Sequence, residues 1–507
     1  MNAAAKALTP QLIVHGADRP ATAEALKDVL AAAPECFDRG GFPVQLVAPA
    51  AGGLPVAKRM THNNVIHVAH RYCRPVRITP EREAIPITLP DNVARMYLDL
   101  GNFGLRPLAG VTSAPLLRAD GGIMTAPGYN RELALWCEPV PSLRVPDKPT
   151  MEQATAALLL IRERFRTFPF KDSPTISTEA LQVVDVDRTP GLSESSFLAG
   201  LVTAVCRPSL HLAPGLLVTA PEVTGAGSGK GILVRAINAI AFGSKPAAFT
   251  AGHNKQELDK RLVAELIMAG PAVFLDNCNS MALESMTLAS LLTERPARVR
   301  IMGLSEMAPL NSAAMVFVTG NGLSVSEDLA RRFLAVDLDP RCEDPEARPF
   351  KPGFVDAVQN DRAQLLSAAL VILRWGRQNK LLPGLPLGSY ETWGEWVRDP
   401  LLALGCADPV ARIREAKASD PRREFTADLF RAWFDCHGES PVKASELAEP
   451  VLALINPHGR KRQYLAERLK SLDGTRAAGF VLTRQLAAGR WSPATYAVKS
   501  VERPHEA

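Results

Sequence analysis

The chain has 507 residues, 47% hydrophobic and 22% charged, which excludes a disordered polymer and a single small domain and leads us to expect a soluble globular protein of two to four domains. A net charge of +5 is too mild to announce nucleic acid by itself. Eight cysteines run from Cys36 to Cys436 without a C-x-x-C pair or zinc-like spacing, no apolar run nears the ~20 residues that span a bilayer, and the N-terminus lacks a signal-peptide core; reduced thiols, no membrane partner and a cytoplasmic location are the expectations.

Residues 1–149 read as an α+β domain. PVQLVAP, VIHVAH and AIPITL look β-like, and TAEALKDVLAAA is one clear helix. The Pro-rich EPVPSLRVPDKP (138–149) reads as a linker. Residues 150–340 are α/β. Within them VVDVDRT (183–189) mimics a primase acidic pair, but no catalytic histidine motif accompanies it, so it reads as a loop leading into a helix, SESSFLAGLVTAVC (193–206). Five apolar runs follow, separated by helical segments: GLLVTA (215–220), AAFT (247–250), AVFLD (272–276), AAMVFVTG (313–320) and FLAVDL (333–338). Fully apolar runs alternating with helices predict a five-stranded parallel sheet buried on both faces.

The first run ends in PEVTGAGSGKG (221–231) and is followed by the helical GILVRAINAIAF. Strand, glycine-rich loop, lysine and helix in that order form a phosphate-binding loop, in which backbone N–H groups and a helix N-terminus face phosphate oxygens. The candidate binding residues are Thr224, Gly225, Ala226, Gly227, Ser228, Gly229, Lys230 and Gly231, with Lys230 as the point charge on the β and γ phosphates of ATP. Two positions depart from G-x-x-x-x-G-K-[ST]. Thr224 replaces the first glycine, and Gly231 replaces the hydroxyl that holds magnesium.

Asp276 ends the third apolar run, where an aspartate can hold Mg2+ through water. Asn277 stands where a water-polarising acid is usual, and an amide cannot take a proton; Glu294 and Glu306 are candidate substitutes. Asn321, just past the fourth run, can touch the γ-phosphate or position water. In SEDLARRF, Ser326 looks like an N-cap with Leu329 and Phe333 facing inward. Arg332, or its neighbour Arg331, is then placed to act as an arginine finger on a neighbouring subunit.

A charged, Pro-rich connector, DPRCEDPEARPFKPG (339–353), precedes a helical region, 341–419. There Trp393, Trp396, Val397 and Leu401 form an apolar stripe expected in the core. In residues 420–507, FTADLFRAWFDCHG, KASELAEPVLALI and GRKRQYLAERLKSLDG read as three helices, and GFVLTRQLAAGRWSPATYAVKS as a hairpin, which predicts a winged helix. From Arg422 onward 14 Lys and Arg face 10 Asp and Glu, a local +4. The third helix (Arg460, Lys461, Arg462, Arg468, Lys470) and the hairpin (Arg484, Arg490) carry most of this charge, as a duplex-DNA module would; such modules also bind proteins.

The order of phosphate loop, strand-end Asp, Asn after strand four and Arg-Arg-Phe before strand five resembles the AAA+ ATPases. More narrowly, the chain resembles the superfamily-3-like helicases and primase-associated ATPases of bacterial prophages and integrative elements. CFDRGGFPVQL (36–46), PLLRADGGIMTAPGYN (115–130), TAVCRPSLHLAPGLLVTAP (203–221) and LGSYETWGEWVRDPLLALGCADP (387–409) fit the same group. The resemblance implies a ring, commonly a hexamer, that translocates on single-stranded DNA, with 341–419 as a lid whose Arg398 can contact the γ-phosphate. It also implies a pore hairpin, here RVRIMGLSEMAPLNS (298–312), with Arg298 and Arg300 as DNA-backbone contacts. The N-terminal domain would bind DNA, oligomerise or dock a primase. The expected function is an ATP-dependent helicase or translocase in replication of a mobile element. A weakly hydrolysing DNA-binding initiator, loader or scaffold, or a phage-defence ATPase switch, uses the same motifs.

Overall fold

The computed structural model describes residues 10–50, 52–178, 181–250, 255–279, 282–301, 306–347, 352–418, 421–457, 459, 462–485 and 494–501, without the side chains of 282, 324, 327, 347, 414–424 and 462. The chain forms two compact units, Met1–Ile413 and Arg414–Ala507.

The centre of the first unit is a sheet of five parallel strands. These are β1 (Gly215–Ala220), β2 (Ala248–Phe249), β3 (Ala272–Leu275), β4 (Met315–Asn321) and β5 (Phe333–Asp337), in the order β2-β3-β4-β1-β5. Alternation survives inside the apolar runs. Leu216 and Val218 of β1, with Met315 and Phe317 of β4, enter the core under α1 (Leu192–Cys206) and α2 (Lys230–Phe242). Leu217, Val316 and Val318 face the opposite way, toward Leu258 and Leu262 of α3 (Lys255–Ile267). Both sheet faces are thus covered by helices, which is why the strands carry no polar face. At Gly200 of α1 a Cβ would lie 2.6 Å from the Leu216 side chain, so a larger residue there would make Leu216 shift.

Val183 and Val184 end a short strand, Gln182–Val184, that pairs antiparallel with Thr175–Ser177, where the sequence reading expected a loop; only the rest of the 183–189 stretch is a turn leading into α1. Asp185 caps its own turn by accepting the Asp187 N–H, and Arg162 donates to the Val186 carbonyl at 2.6 Å. Arg162 also forms a buried ion pair with Glu194 at 2.8 Å. The Trp stripe is core: Trp393, Val397 and Leu401 are buried, and the Trp393 indole donates to Thr203 of α1 at 2.8 Å.

Two expectations fail in the N-terminal region. VIHVAH lies in a helix, His62–Tyr72, not a strand. Thr61 and Asn64 make a capping box, and Val65, Val68 and Ala69 are buried at helical spacing, so the three-and-four period overrides the β-branched composition. With Arg19–Ala31 and Asp91–Asp99 it forms a three-helix cluster where one helix was expected. The expected linker 138–149 is a strap held against the helix Arg362–Gln378. Leu143 and Val145 pack on the main core, Ser367 accepts the Arg144 N–H at 3.0 Å, and Arg374 donates to the Pro146 carbonyl at 2.9 Å. The strap's prolines offer no N–H, and the carbonyls of Val145 and Pro146 are taken by Arg374.

Arg39 ties the N-terminal region to the core. Its buried guanidinium donates to the carbonyls of Leu266, Leu108 and Asn311, and burial pulls its pKa down to about 9. No helix among the described residues is long and apolar enough to cross a membrane. All eight cysteines are free and six are buried.

In the second unit, helices Pro421–His437, Glu449–Ile455 and Arg462–Ser471 precede strands Phe480–Gln485 and Thr495–Ser500, which pair antiparallel. Two short strands, Val442–Lys443 and Arg476–Ala477, extend the sheet on either side. Phe430, Trp433, Val451, Leu469, Leu482 and Val498 fill its core.

Candidate nucleotide site

The carboxyl ends of β1, β3 and β4 converge on a cavity of about 370 Å³. The 226–231 stretch forms one wall, and Asp276, Asn277, Asn279 and Asn321 line the other. This is where parallel α/β sheets hold ligands, because strand-to-helix loops and helix N-termini gather there. Gly227 and Gly229 have φ of 72° and 92°, which lets the loop curl; any side chain at either would be strained.

Lys230 is buried. Its Nζ donates to the Gly225 carbonyl at 2.7 Å and to Ser228 Oγ at 3.1 Å, two neutral oxygens of its own loop. Burial pushes its pKa below the usual range, and the charge of Asp276 pulls it partly back. An ammonium in that position gains from an anionic oxygen in place of a carbonyl. Asn321 Oδ1 is buried beside Gly225 without a partner among the described residues, so the cavity wall has a position for a water or a ligand donor. The loop N–H groups and the lysine fit a nucleotide's phosphates, while the orphaned amide oxygen fits a water or another donor beside them.

A divalent cation fits less well. Asp276 Oδ1 accepts from the Thr319 hydroxyl at 2.5 Å and the Asn277 N–H at 3.1 Å. Asp276 Oδ2 faces the Arg235 guanidinium at 3.6 Å. Gly231 adds no hydroxyl, and Mg2+ requires near-octahedral oxygen ligation. No group of three His, Cys, Asp or Glu side chains able to hold a metal gathers among the described residues. Asn277 is exposed with φ of 58°, a backbone that asparagine tolerates well. Its amide reaches the cavity, but Asp276 is the only carboxylate among the lining residues.

Several expected residues lie elsewhere. Glu294 accepts from Ser290 at 2.8 Å, Glu306 is exposed at the turn end of the 297–310 hairpin, and neither lines the cavity. Arg398 is also absent from the cavity. It sits buried in the helical region, paired with Asp399 at 2.8 Å and donating to the Leu385 carbonyl, so its charge is spent locally. Arg332, preferred for action across an interface, is buried, with Nη1 on the Asp328 carbonyl at 2.7 Å and its charge on the Asp328 carboxylate. Arg331 is the accessible member of the pair, its side chain 52% exposed.

Strands Ala297–Arg300 and Met307–Leu310 do form an antiparallel hairpin. Val299, Ala308 and Leu310 point into the core, while Arg298 and Arg300 share the exposed face. In the second unit Arg460, Lys461 and Arg490 fall outside the described residues, as does the side chain of Arg462. Arg484 is half-buried, and Arg468 and Lys470 are exposed.

Asn279 and Arg235 line the cavity and Thr319 holds Asp276 beside it, three residues that the motif reading missed. The register could have found Thr319 and Asn279: Thr319 lies two residues before Asn321 on β4, and Asn279 accepts the Asn321 N–H at 2.8 Å. Arg235 lies one helical turn past Gly231, the i+4 spacing that puts two residues on one face.

No protein-family model matches the sequence, and no curated protein matches it. Among solved structures, the chain is similar to the apo A form of the NrS-1 C-terminal region, with 11% identity, 64% of this chain and 82% of that one covered, and a TM-score of 0.33. It is similar to the active helicase Cch of SCCmec type IV, with 10% identity, 92% and 97% covered, and a TM-score of 0.33. It is also similar to a JCV helicase with a small molecule bound, with 9% identity, 55% and 71% covered, and a TM-score of 0.20. At such values the likeness carries no argument about chemistry; the sheet order and the loop that ends β1 carry the α/β phosphate-loop assignment.

Proposed function

We propose that the chain binds ATP on the 224–231 loop and works on DNA as an ATP-dependent helicase or translocase, assembled as a ring, in replication of a mobile element. One observation carries this reading: a phosphate-loop cavity sits at the strand ends of the parallel sheet, and the β3-to-β4 connection of that sheet carries a separate antiparallel hairpin with two exposed arginines. Lys230 binds phosphate. Asn321 holds a water or a phosphate oxygen, and the Asn277 amide orients water without taking its proton. Arg331, exposed before β5, serves the neighbouring subunit's site. Arg298 and Arg300 contact single-stranded DNA, and the second unit, read as a winged helix, contacts duplex DNA.

A second reading has its own support. Among the described residues Asp276 is the only carboxylate lining the cavity, and it has a partner at each oxygen, which favours a nucleotide-binding, weakly hydrolysing initiator, loader or scaffold. Unwinding of a forked duplex separates the two. The helicase reading expects ATP-dependent displacement of one strand with a fixed polarity, lost in Arg298→Ala/Arg300→Ala. Binding of DNA and ATP with no displacement under any condition would contradict it and leave the scaffold.

A further inference from the structure

The residue after the loop lysine ordinarily brings a hydroxyl to the metal; here it is Gly231. The space is not empty. A Cβ on Gly231 would lie 2.7 Å from Arg235 Nη1, 3.7 Å from Arg235 Cζ and 3.7 Å from Asp276 Oδ2. The guanidinium therefore fills the place where a Ser or Thr side chain would begin, beside the strand-end aspartate.

Its position follows from the fold. Arg235 is one turn along α2 from Gly231, on the same helix face, and helical side chains lean back toward the N-terminus. The Phe274 ring backs it, with Arg235 Cζ 5.6 Å from the centroid. Asp276 Oδ2, 3.6 Å from Arg235 Nη2, holds it from the side. The side chain remains 37% exposed and lines the same cavity as Lys230. The missing hydroxyl, the guanidinium in its space and a carboxylate already engaged on both oxygens are three features of one arrangement.

Resting on the phosphate-loop reading above, we propose that Arg235 takes the place of the divalent cation: it neutralises the phosphates in cis, and the site accepts a nucleoside triphosphate free of metal. A guanidinium is always charged and offers a planar fork of donors that matches phosphate oxygens in pairs. It brings positive charge to the phosphates without needing the hydroxyl that Gly231 lacks or the Asp276 oxygens that Thr319 and Arg235 already face.

The test is equilibrium binding of ATP to the full chain, in EDTA and in excess Mg2+, for the wild type, Arg235→Ala, Arg235→Ala/Gly231→Ser and Lys230→Ala. The wild type is expected to bind within about threefold in the two buffers. Arg235→Ala should lose about tenfold or more in EDTA, and the double variant should regain affinity only with Mg2+. Wild-type binding that needs Mg2+ overturns the proposal, as does metal-free binding that survives Arg235→Ala. If the variants fail to fold, the wild-type comparison alone decides. Loss of binding in Lys230→Ala beside a strict Mg2+ requirement in the wild type would leave the phosphate loop standing and remove only Arg235's role. A wild type that binds ATP in neither buffer overturns both.

Discussion

The two walls of the cavity at the strand ends hold out different chemistry. The loop wall is a set of donors: curled backbone, the N-terminus of α2 and a buried ammonium resting on two neutral oxygens. The strand wall is amides and one carboxylate already satisfied by Thr319, the Asn277 N–H and Arg235. A phosphate gains on reaching the first wall, whereas the second has no free base to activate water. Binding and turnover are thus separate properties of this site.

The largest test of that division is at the interface. If Arg331 completes a neighbour's site, Arg331→Ala should lower ATP hydrolysis by about 100-fold or more while leaving the melting temperature unchanged. Arg332→Ala should instead cost about 1–2 kcal/mol of stability, because it strips a buried hydrogen bond and charge from Asp328. The reverse pattern would return the finger to Arg332. A smaller effect is expected from supplying the base. Asn277→Glu should raise hydrolysis about tenfold, with a slight fall in melting temperature because glutamate tolerates φ of 58° less well. No gain in rate would mean that the water is activated elsewhere.

The smallest effect is on pH. The hydrogen bond from Arg332 is the largest of the influences holding the Asp328 carboxyl below its usual 3.8. A depressed carboxylate contributes stability above its unfolded pKa and loses it as pH falls through the folded value. The window is therefore below about pH 4, and since Asp328 is half-exposed the loss should be only tenths of a kcal/mol. Thermal melts of wild type and Asp328→Asn between pH 3 and pH 6 check it: the two should converge at the acid end.

The five strands, the loop and the strand-end residues were legible because fully apolar runs, glycines and a lysine in fixed order leave few alternatives. The N-terminal helix His62–Tyr72 was not, because Val and Ile mask a helical period that only the Thr61–Asn64 box makes plain. The strap at 138–149 was read as a linker because proline marks irregular chain whether or not a partner such as Arg374 covers it. Arg398 and Arg332 have local partners, Asp399 and Asp328, that were not legible because sequence shows a charge but not its neighbours. Arg235 was invisible as a site residue because its meaning depends on the space left by Gly231.

The most direct measurement of the central claim is equilibrium ATP binding by the wild type beside Lys230→Ala. The account predicts saturable binding by the wild type and a loss of about 100-fold or more in the variant, with the melting temperature of the unliganded protein little changed. Absence of binding, or binding indifferent to the loss of Lys230, would contradict it.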